Sequence, residues 1–214
     1  MKLFLHFNNI VSSANRLMFL LNDLLDFSKL DVGKMKMDFT QNQLNQVCEN
    51  AVSEFQAKLD EHNLQIVYMP ETEIVAGMFD KVRIAQVLSN LLSNAIKYAS
   101  NKSKIEITIQ NSVLKADDNS ESEKPSIYFS IKNYGSSIKE AELKTIFNKF
   151  EQGSDEIIGT TKGTGLGLAI SKDIIDLHDG TIYAENIPDE GVIFCFNIPV
   201  EQPVKIFHRL KRNT

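Results

Sequence analysis

Three glycines at alternate positions, Gly163, Gly165 and Gly167, lead directly into an apolar segment that extends to Leu177. Because glycine lacks a Cβ, backbone N–H groups in such a run can approach a phosphate closely, and the N-terminus of a helix adds a partial positive charge. No Gly-Lys-Ser/Thr ending follows, so the run is not a P-loop, and no predicted strand leads into it as in a dinucleotide fingerprint. Many turns without a ligand are also rich in glycine, so a phosphate site needs support from a second feature.

That second feature is a polar stripe on a helix predicted to start after Asp80. Asn90, Asn94 and Lys97 fall at positions i, i+4 and i+7, on one face of a helix whose opposite side is apolar. An amide oxygen can bind Mg²⁺ beside phosphates, and an ammonium group binds phosphate as a point charge. Each residue alone is more often part of a solvated surface. Their shared register beside a glycine loop favours a site for a phosphate tail and its magnesium ion.

The order of the predicted elements indicates an α/β protein. We expect a two-layer sandwich of one mixed sheet against helices, preceded by a long bundle-forming helix. The leading segment repeats apolar residues at three- and four-residue spacing from Phe7 to Phe27, which favours packing in a bundle over a core helix of one compact domain. The polar insert at 115–125 is predicted to be a loop without chemistry. Further helices are predicted at 44–59, 80–96, 140–150 and 166–177, and strands at 35–39, 64–69, 104–109, 126–132, 181–185 and 192–199.

Charge and cysteine content restrict the classes of partner and compartment. The 214 residues include 23 Lys and Arg against 28 Asp and Glu, a formal net charge of -5. A nucleic-acid binder usually has a basic surplus, so no nucleic-acid partner is expected. Cys48 and Cys195 lie in apolar patterns and are predicted to be buried thiols in a reducing compartment. No apolar stretch is long enough to span a bilayer, so a cytoplasmic chain is expected.

Taken together, these stretches resemble the ATP-binding domain of sensor histidine kinases, which is the Bergerat nucleotide fold shared with gyrase, Hsp90 and MutL. Residues 90–98 (NLLSNAIKY) are similar to the asparagine box of that family. Residues 145–150 (TIFNKF) are similar to its phenylalanine box, and residues 163–168 (GTGLGL) to its second glycine box. Residues 12–30 are similar to the second helix of the dimerisation and phosphotransfer hairpin. The resemblance covers residues 8–200, and the ordered set of motifs is specific.

The resemblance implies a role for each matching residue. Asn94 would bind Mg²⁺, Lys97 would contact the phosphates of ATP, and Asn90 and Lys97 would be the catalytic pair. Hydrolytic relatives usually have a glutamate at the position of Asn90 to activate water. A carboxamide cannot act as that general base, which favours phosphotransfer over hydrolysis. The lid of the site would span residues 151–162. The remaining nucleotide-binding residues implied are Tyr98, Asn133, Gly135, Ile138, Phe150, Lys162, Gly163, Thr164, Gly165, Leu166 and Gly167.

The first glycine box departs from the family pattern, which is Asp-x-Gly-x-Gly. The matching residues here are Asn133, Tyr134, Gly135, Ser136 and Ser137. The family's aspartate accepts a hydrogen bond from the adenine amino group. An asparagine can still accept through its side-chain oxygen, but it has no negative charge. Ser137 adds a side chain where the family has none. Both changes bear directly on ATP affinity.

None of the four histidines matches the phosphoacceptor of the family. That histidine is followed by an acidic residue at the start of the first hairpin helix, and His6, His62, His178 and His208 do not fit this pattern. We therefore expect a fragment whose first hairpin helix, with any membrane anchor of the full-length parent, lies upstream of Met1. The expected parts are the second hairpin helix at 1–31, the ATP-binding catalytic domain at 32–200, and a basic tail or linker at 201–214.

The sequence thus predicts the catalytic region of a histidine kinase. With ATP and Mg²⁺, it would phosphorylate a histidine outside this fragment. A response regulator or receiver domain would then receive the phosphate, and the intact protein would be a homodimer through the hairpin. Two alternatives stay open at this point. One is a degenerate kinase domain that acts as a dimerising or regulatory module, and the other is a Bergerat-fold ATPase.

Overall fold

The computed structural model describes residues 14, 17, 18, 21, 23–30, 32–70, 75–115, 123–151 and 164–201. Residues 23–30 are helical and are called α1. The polar insert lies largely outside the described residues, as do Lys162, Gly163 and most of the basic tail. The later elements follow in chain order: β1 (Thr40–Gln43), α2 (Leu44–Glu54), α3 (Gln56–Glu61), β2 (Gln65–Pro70), β3 (Ala76–Phe79), α4 (Lys81–Tyr98), β4 (Lys104–Lys115), β5 (Glu123–Tyr134), α5 (Glu140–Leu143), α6 (Gly167–Leu177), β6 (Thr181–Ile187) and β7 (Gly191–Pro199).

The main sheet has five strands in the order β2-β4-β5-β7-β6, and β1 and β3 form a separate antiparallel pair. β2 is parallel to β4, while β4, β5, β7 and β6 pair antiparallel. The sheet is therefore mixed, and α2, α4 and α6 cover one of its faces. This confirms the predicted two-layer sandwich.

The core lies between the sheet and these helices. On β5, alternate side chains point to the helices because a strand has a two-residue period. Ile127, Phe129 and Ile131 are the buried members of this row, and Asn133 continues it as a polar residue. Burial of each large apolar side chain contributes about 1.5–3 kcal/mol, so a polar end to the row indicates a local requirement other than packing.

The start of α4 is fixed by a buried polar cluster. The Asp80 carboxylate accepts hydrogen bonds from the N–H groups of Val82 and Arg83, both at 3.0 Å, as predicted for an N-cap. The Asp80 N–H donates to His178 Nε2 at 3.1 Å, and the other ring nitrogen of His178 lies 2.8 Å from the Ile174 carbonyl oxygen. His178 is thus a packing residue that connects the end of α6 to the start of α4.

One predicted strand is absent from the structure, and one observed strand was not predicted. Residues 35–39 do not form the predicted strand, and β1 begins only at Thr40, where the chain runs beside β3 and pairs with it. β3 itself was not predicted, because four residues are too few to show a period.

Two helix predictions also differ. The helix predicted at 44–59 is divided at Phe55, whose side chain packs against the core while the backbone leaves the helical conformation. The helix predicted at 140–150 is helical only in α5. The turns that follow end at Phe150, which has a φ of 65° and donates its N–H to the Gly165 carbonyl oxygen at 3.0 Å. The chain turns here because it meets the glycine segment.

α1 ends at a turn that contains Gly33, whose φ of 61° is in the left-handed region. Within the described residues, no helix is both long and apolar enough to cross a membrane. One side of the leading segment packs on the rest of the chain through Phe27 and Leu30. The other large apolar side chains that the structure describes in this segment are exposed: Leu17, Met18, Leu21, Leu24 and Leu25.

Candidate nucleotide-binding site

The polar stripe on α4 has two ends with different surroundings. At the tied end, the Asn90 side chain is hydrogen-bonded to α6, and at the open end lie Asn94 and Lys97. Asn90 is only 8% exposed. Its Nδ2 atom donates to the Gly167 carbonyl oxygen at 3.1 Å and to Ser171 Oγ at 3.2 Å. Ser171 Oγ also donates to the Gly167 carbonyl oxygen at 2.8 Å. Asn90 therefore joins α4 to the first turn of α6, and its amide group is oriented by these bonds.

One turn further along α4, Asn94 is half-buried, and its side chain makes no hydrogen bond with the described part of the chain. Lys97 is also half-buried. Its Nζ atom lies 4.8 Å from the centre of the Tyr98 ring, and no carboxylate among the described residues pairs with it. Tyr98 itself is exposed. A carboxamide and an ammonium group thus lie together on one face of the helix, and both are groups suited to a metal-bound phosphate tail.

Asn133 lies on the helix-facing side of β5 and is 2% exposed. Its neighbours in the sheet are Ile105 on β4 and Val192 on β7. The Nδ2 atom of Asn133 is buried and has no hydrogen-bond partner among the described residues. A buried donor without a partner costs about 1–3 kcal/mol, and a ligand acceptor at this position would remove that cost.

The backbone after Asn133 approaches the end of α4 very closely. A Cβ on Gly135 would lie 2.1 Å from the Tyr98 carbonyl oxygen, so only glycine fits here. Ala99 and Gly135 form an isolated β-bridge at the same place. Ile138 is held by Asn186, whose side chain accepts from the Ile138 N–H at 2.9 Å and donates to its carbonyl oxygen at 2.6 Å. These contacts fix the first glycine box beneath the open end of α4.

The described part of the second glycine box begins at Thr164. Gly165 has a φ of 70°, and a Cβ on it would lie 2.9 Å from the Glu151 carbonyl oxygen. Leu166 is buried, and its N–H donates to Thr164 Oγ1 at 3.0 Å. Gly167 begins α6 and packs against the Asn90 side chain. The predicted site residues Lys162 and Gly163 lie outside the described residues.

Two predicted site residues contact α1. Thr164 Oγ1 donates to Asp23 Oδ2 at 3.1 Å. The Phe150 side chain is 62% exposed and lies edge-to-face with Phe27, with 5.9 Å between the ring centres. Lys149 Nζ lies 4.6 Å from the centre of the Phe27 ring. The structure therefore places both Thr164, in the glycine segment, and Phe150 against the leading helix.

The polar side of α1, which carries Asp23 and Asp26, is a contact surface that the sequence pattern did not predict. Asp26 Oδ2 pairs with Arg83 Nη1 at 3.0 Å and accepts from Gln86 Nε2 at 3.0 Å. Asp23 is 3% exposed, and burial raises its pKa; the Thr164 hydrogen bond lowers it and the Asp26 charge raises it further. Two acids three residues apart on one helix face are the only sequence signal of this contact, and they occur on solvated helices as well.

The two cysteine thiols are unsuited to nucleophilic catalysis. Burial raises the pKa of the Cys48 thiol to about 12, and burial also raises that of Cys195, so neither thiol is an activated nucleophile. Throughout the described ranges, no cluster of three or more His, Cys, Asp or Glu residues is arranged to hold a metal ion.

Comparison with known proteins places this arrangement in a family. The model for "histidine kinase-, DNA gyrase B-, and HSP90-like ATPase" matches residues 79–202. The "Non-motile and phage-resistance protein" of Caulobacter vibrioides is 33% identical over 193 residues, which cover 90% of this chain and 22% of that protein. Sensor protein KdpD of Clostridium acetobutylicum is 34% identical over 194 residues, 91% of this chain and 20% of that protein. The chain thus spans about a fifth of the length of these relatives.

Solved structures give the same answer at the level of the fold. The catalytic domain of histidine kinase ThkA has a TM-score of 0.63 and 34% identity, and the match covers 77% of this chain and 99% of that domain. ThkA in complex with the response regulator protein TrrA gives a TM-score of 0.67 and 27% identity, covering 91% of this chain and 50% of that chain.

The sheet, the glycine segments and the α4 stripe define an ATP-binding domain of the Bergerat type, and the chain belongs to the histidine kinase-, DNA gyrase B- and HSP90-like ATPase family. Within that family it is a histidine-kinase catalytic domain, as its similarity to the whole ThkA catalytic domain shows.

Proposed function

We propose that this domain transfers the γ-phosphate of Mg-ATP to a histidine outside this chain, and that it does not hydrolyse ATP. The observation that supports this proposal most directly is the hydrogen-bonded side chain of Asn90. Its amide nitrogen is committed to Gly167 and Ser171, and a carboxamide has no basic group to activate water. The position where hydrolytic relatives have a glutamate therefore supplies a structural contact in this protein.

The open end of α4 would hold the phosphates and the metal. Asn94 offers an amide oxygen, which is a hard ligand suited to Mg²⁺. Since Mg²⁺ usually retains several waters and takes further ligands from the phosphates, a single protein ligand is sufficient. Lys97 would pair with the phosphate charge. The helix N-terminus that follows Gly165 and Leu166 would add its dipole. Lys162 and Gly163, which lie outside the described residues, would also contact the nucleotide.

The base of the nucleotide would lie on β5. Asn133 supplies the buried polar group, and Gly135 allows the backbone to pass close to Tyr98, which would flank the adenine. Ile138 would form part of the apolar wall, because Asn186 fixes its backbone. Phe150 and Thr164 would contribute to nucleotide binding indirectly, through the contact that joins the glycine segment to α1.

We further propose that the leading helix dimerises and that the phosphate passes to a response regulator. The exposed leucines of the leading segment support a bundle with a second copy and with the first hairpin helix. The ThkA complex supports a response regulator as the partner of this domain. Two free, buried cysteines fit a cytoplasmic location. The domain would then extend over residues 32–200, after a hairpin helix at 1–31.

Incubation of the purified chain with γ-labelled Mg-ATP tests this function. We expect saturable nucleotide binding, no acid-labile label on the chain, and no steady release of inorganic phosphate. Multiple-turnover phosphate release would show an ATPase instead. Label that disappears in His6→Ala would show that the phosphoacceptor lies within this chain.

A further inference from the structure

The Asn133 carboxamide differs from Asn90 in its freedom to rotate. Asn90 Nδ2 has two acceptors, so a rotation of its amide by half a turn would break both bonds. The Asn133 side chain has no hydrogen bond to the described residues, and its buried Nδ2 is without an acceptor. No hydrogen bond within the described structure therefore fixes the orientation of its two amide atoms.

This freedom determines which purines the site can bind. A 6-aminopurine presents a donor at C6 and an acceptor at N1, and a carboxamide pairs with both through Oδ1 and Nδ2. A 6-oxopurine presents an acceptor at C6 and a donor at N1. The same carboxamide pairs with these after half a turn about its terminal bond. A carboxylate only accepts, so it would pair with the amino group and repel the C6 oxygen.

We propose that the base site of this domain is permissive at the purine 6-position, and that Asn133 makes it so. The inference rests on the proposed function, since it requires the base of the nucleotide to lie at Asn133. It goes further by naming the substrate class as purine nucleoside triphosphates with either an amino or an oxo group at C6.

The test compares Mg-ATP with Mg-ITP, which differ at the 6-position and in the protonation of N1. Calorimetric titration of the wild-type chain should give dissociation constants within about tenfold of each other. In Asn133→Asp, ATP should bind equally or several-fold more tightly, while the preference for ATP over ITP should increase by about 10- to 100-fold. Asn50→Asp is the charge-matched control, because Asn50 is exposed on α2. It should leave both dissociation constants unchanged.

Asn133→Leu provides a second variant that keeps the side-chain size and removes both polar atoms. Both nucleotides should weaken together, and their ratio should stay near the wild-type value. A wild-type preference for ATP above tenfold would overturn the inference while leaving the proposed function intact. If the wild-type chain binds neither nucleotide, the proposed function itself fails and the inference fails with it. The wild-type comparison decides the matter even if Asn133→Asp does not fold.

Discussion

Two asparagines of α4 lie one turn apart and have opposite environments. The Asn90 side chain is buried and bonded to α6, whereas the Asn94 side chain is half-buried and makes no hydrogen bond within the described chain. The first holds two helices together, and the second remains available to a ligand. The same contrast separates Asn90 from Asn133, whose buried amide nitrogen has no partner. Residue type and helical register therefore identify the region of the site. The hydrogen-bond partners then distinguish a residue that holds the structure together from a residue that is available to bind a ligand.

The largest loss of stability is expected at Gly135, where two backbone segments pass very close to each other at the open end of α4. Gly135→Ala would place a Cβ against the Tyr98 carbonyl oxygen, and the two backbone segments would have to separate. We expect a loss of about 3 kcal/mol in the free energy of unfolding, measured by urea denaturation. Gly33→Ala is the control. A Cβ at Gly33 meets nothing within 4 Å, so only its left-handed φ should cost about 1 kcal/mol. Equal losses in both variants would refute the close-approach explanation.

A substitution at the tied end of α4 should lower the stability of the fold. Asn90→Ala removes the donor to Gly167 and Ser171, and the free energy of unfolding should fall by about 1–3 kcal/mol. Asn94→Ala removes no side-chain hydrogen bond within the described chain, and its effect should stay within about 0.5 kcal/mol. Paired urea titrations without nucleotide check this difference. Equal effects would show that the division of α4 into two ends is wrong.

A smaller effect is expected at the contact between α1 and the glycine segment. Burial raises the Asp23 pKa above its ordinary value of 3.8, so the folded state binds this proton more tightly than the unfolded state. The resulting stabilisation is complete below pH 3.8 and is lost as the pH rises through the raised pKa. Asp23→Asn keeps an acceptor for Thr164 without the charge. It should therefore stabilise the protein at neutral pH.

The measurement for Asp23 is the difference in unfolding free energy between the variant and the wild type as a function of pH. That difference should grow as the pH rises through the raised pKa. A difference that does not vary with pH would show that the Asp23 proton is not linked to folding. Asp26→Asn is the comparison variant, because Asp26 is paired with Arg83 and should lose stability at neutral pH.

Much of the fold could be predicted from the sequence, because period and capping are local signals. The Asp80 cap, the apolar face of α4 and the strands at 104–109 and 192–199 all lie in the expected elements. β3 and the break at Phe55 depend on partners far away along the chain, so local patterns could not show them. The stripe on α4 was correctly placed on one helix. Its division into two ends depends on α6, about 77 residues later, and could not be inferred from spacing.

The central claim is that ATP phosphates and magnesium bind at the open end of α4. Calorimetric titration of Mg-ATP into Asn94→Ala tests it most directly, with Asn50→Ala as the matched control on an exposed helix face. We expect Asn94→Ala to lose most of the magnesium-dependent gain in ATP affinity, about tenfold or more, with its helical content and unfolding free energy unchanged. Asn94→Asp should also bind Mg-ATP more weakly, because a charge is added beside the phosphates. Unaltered magnesium-dependent affinity in both Asn94 variants would contradict the account.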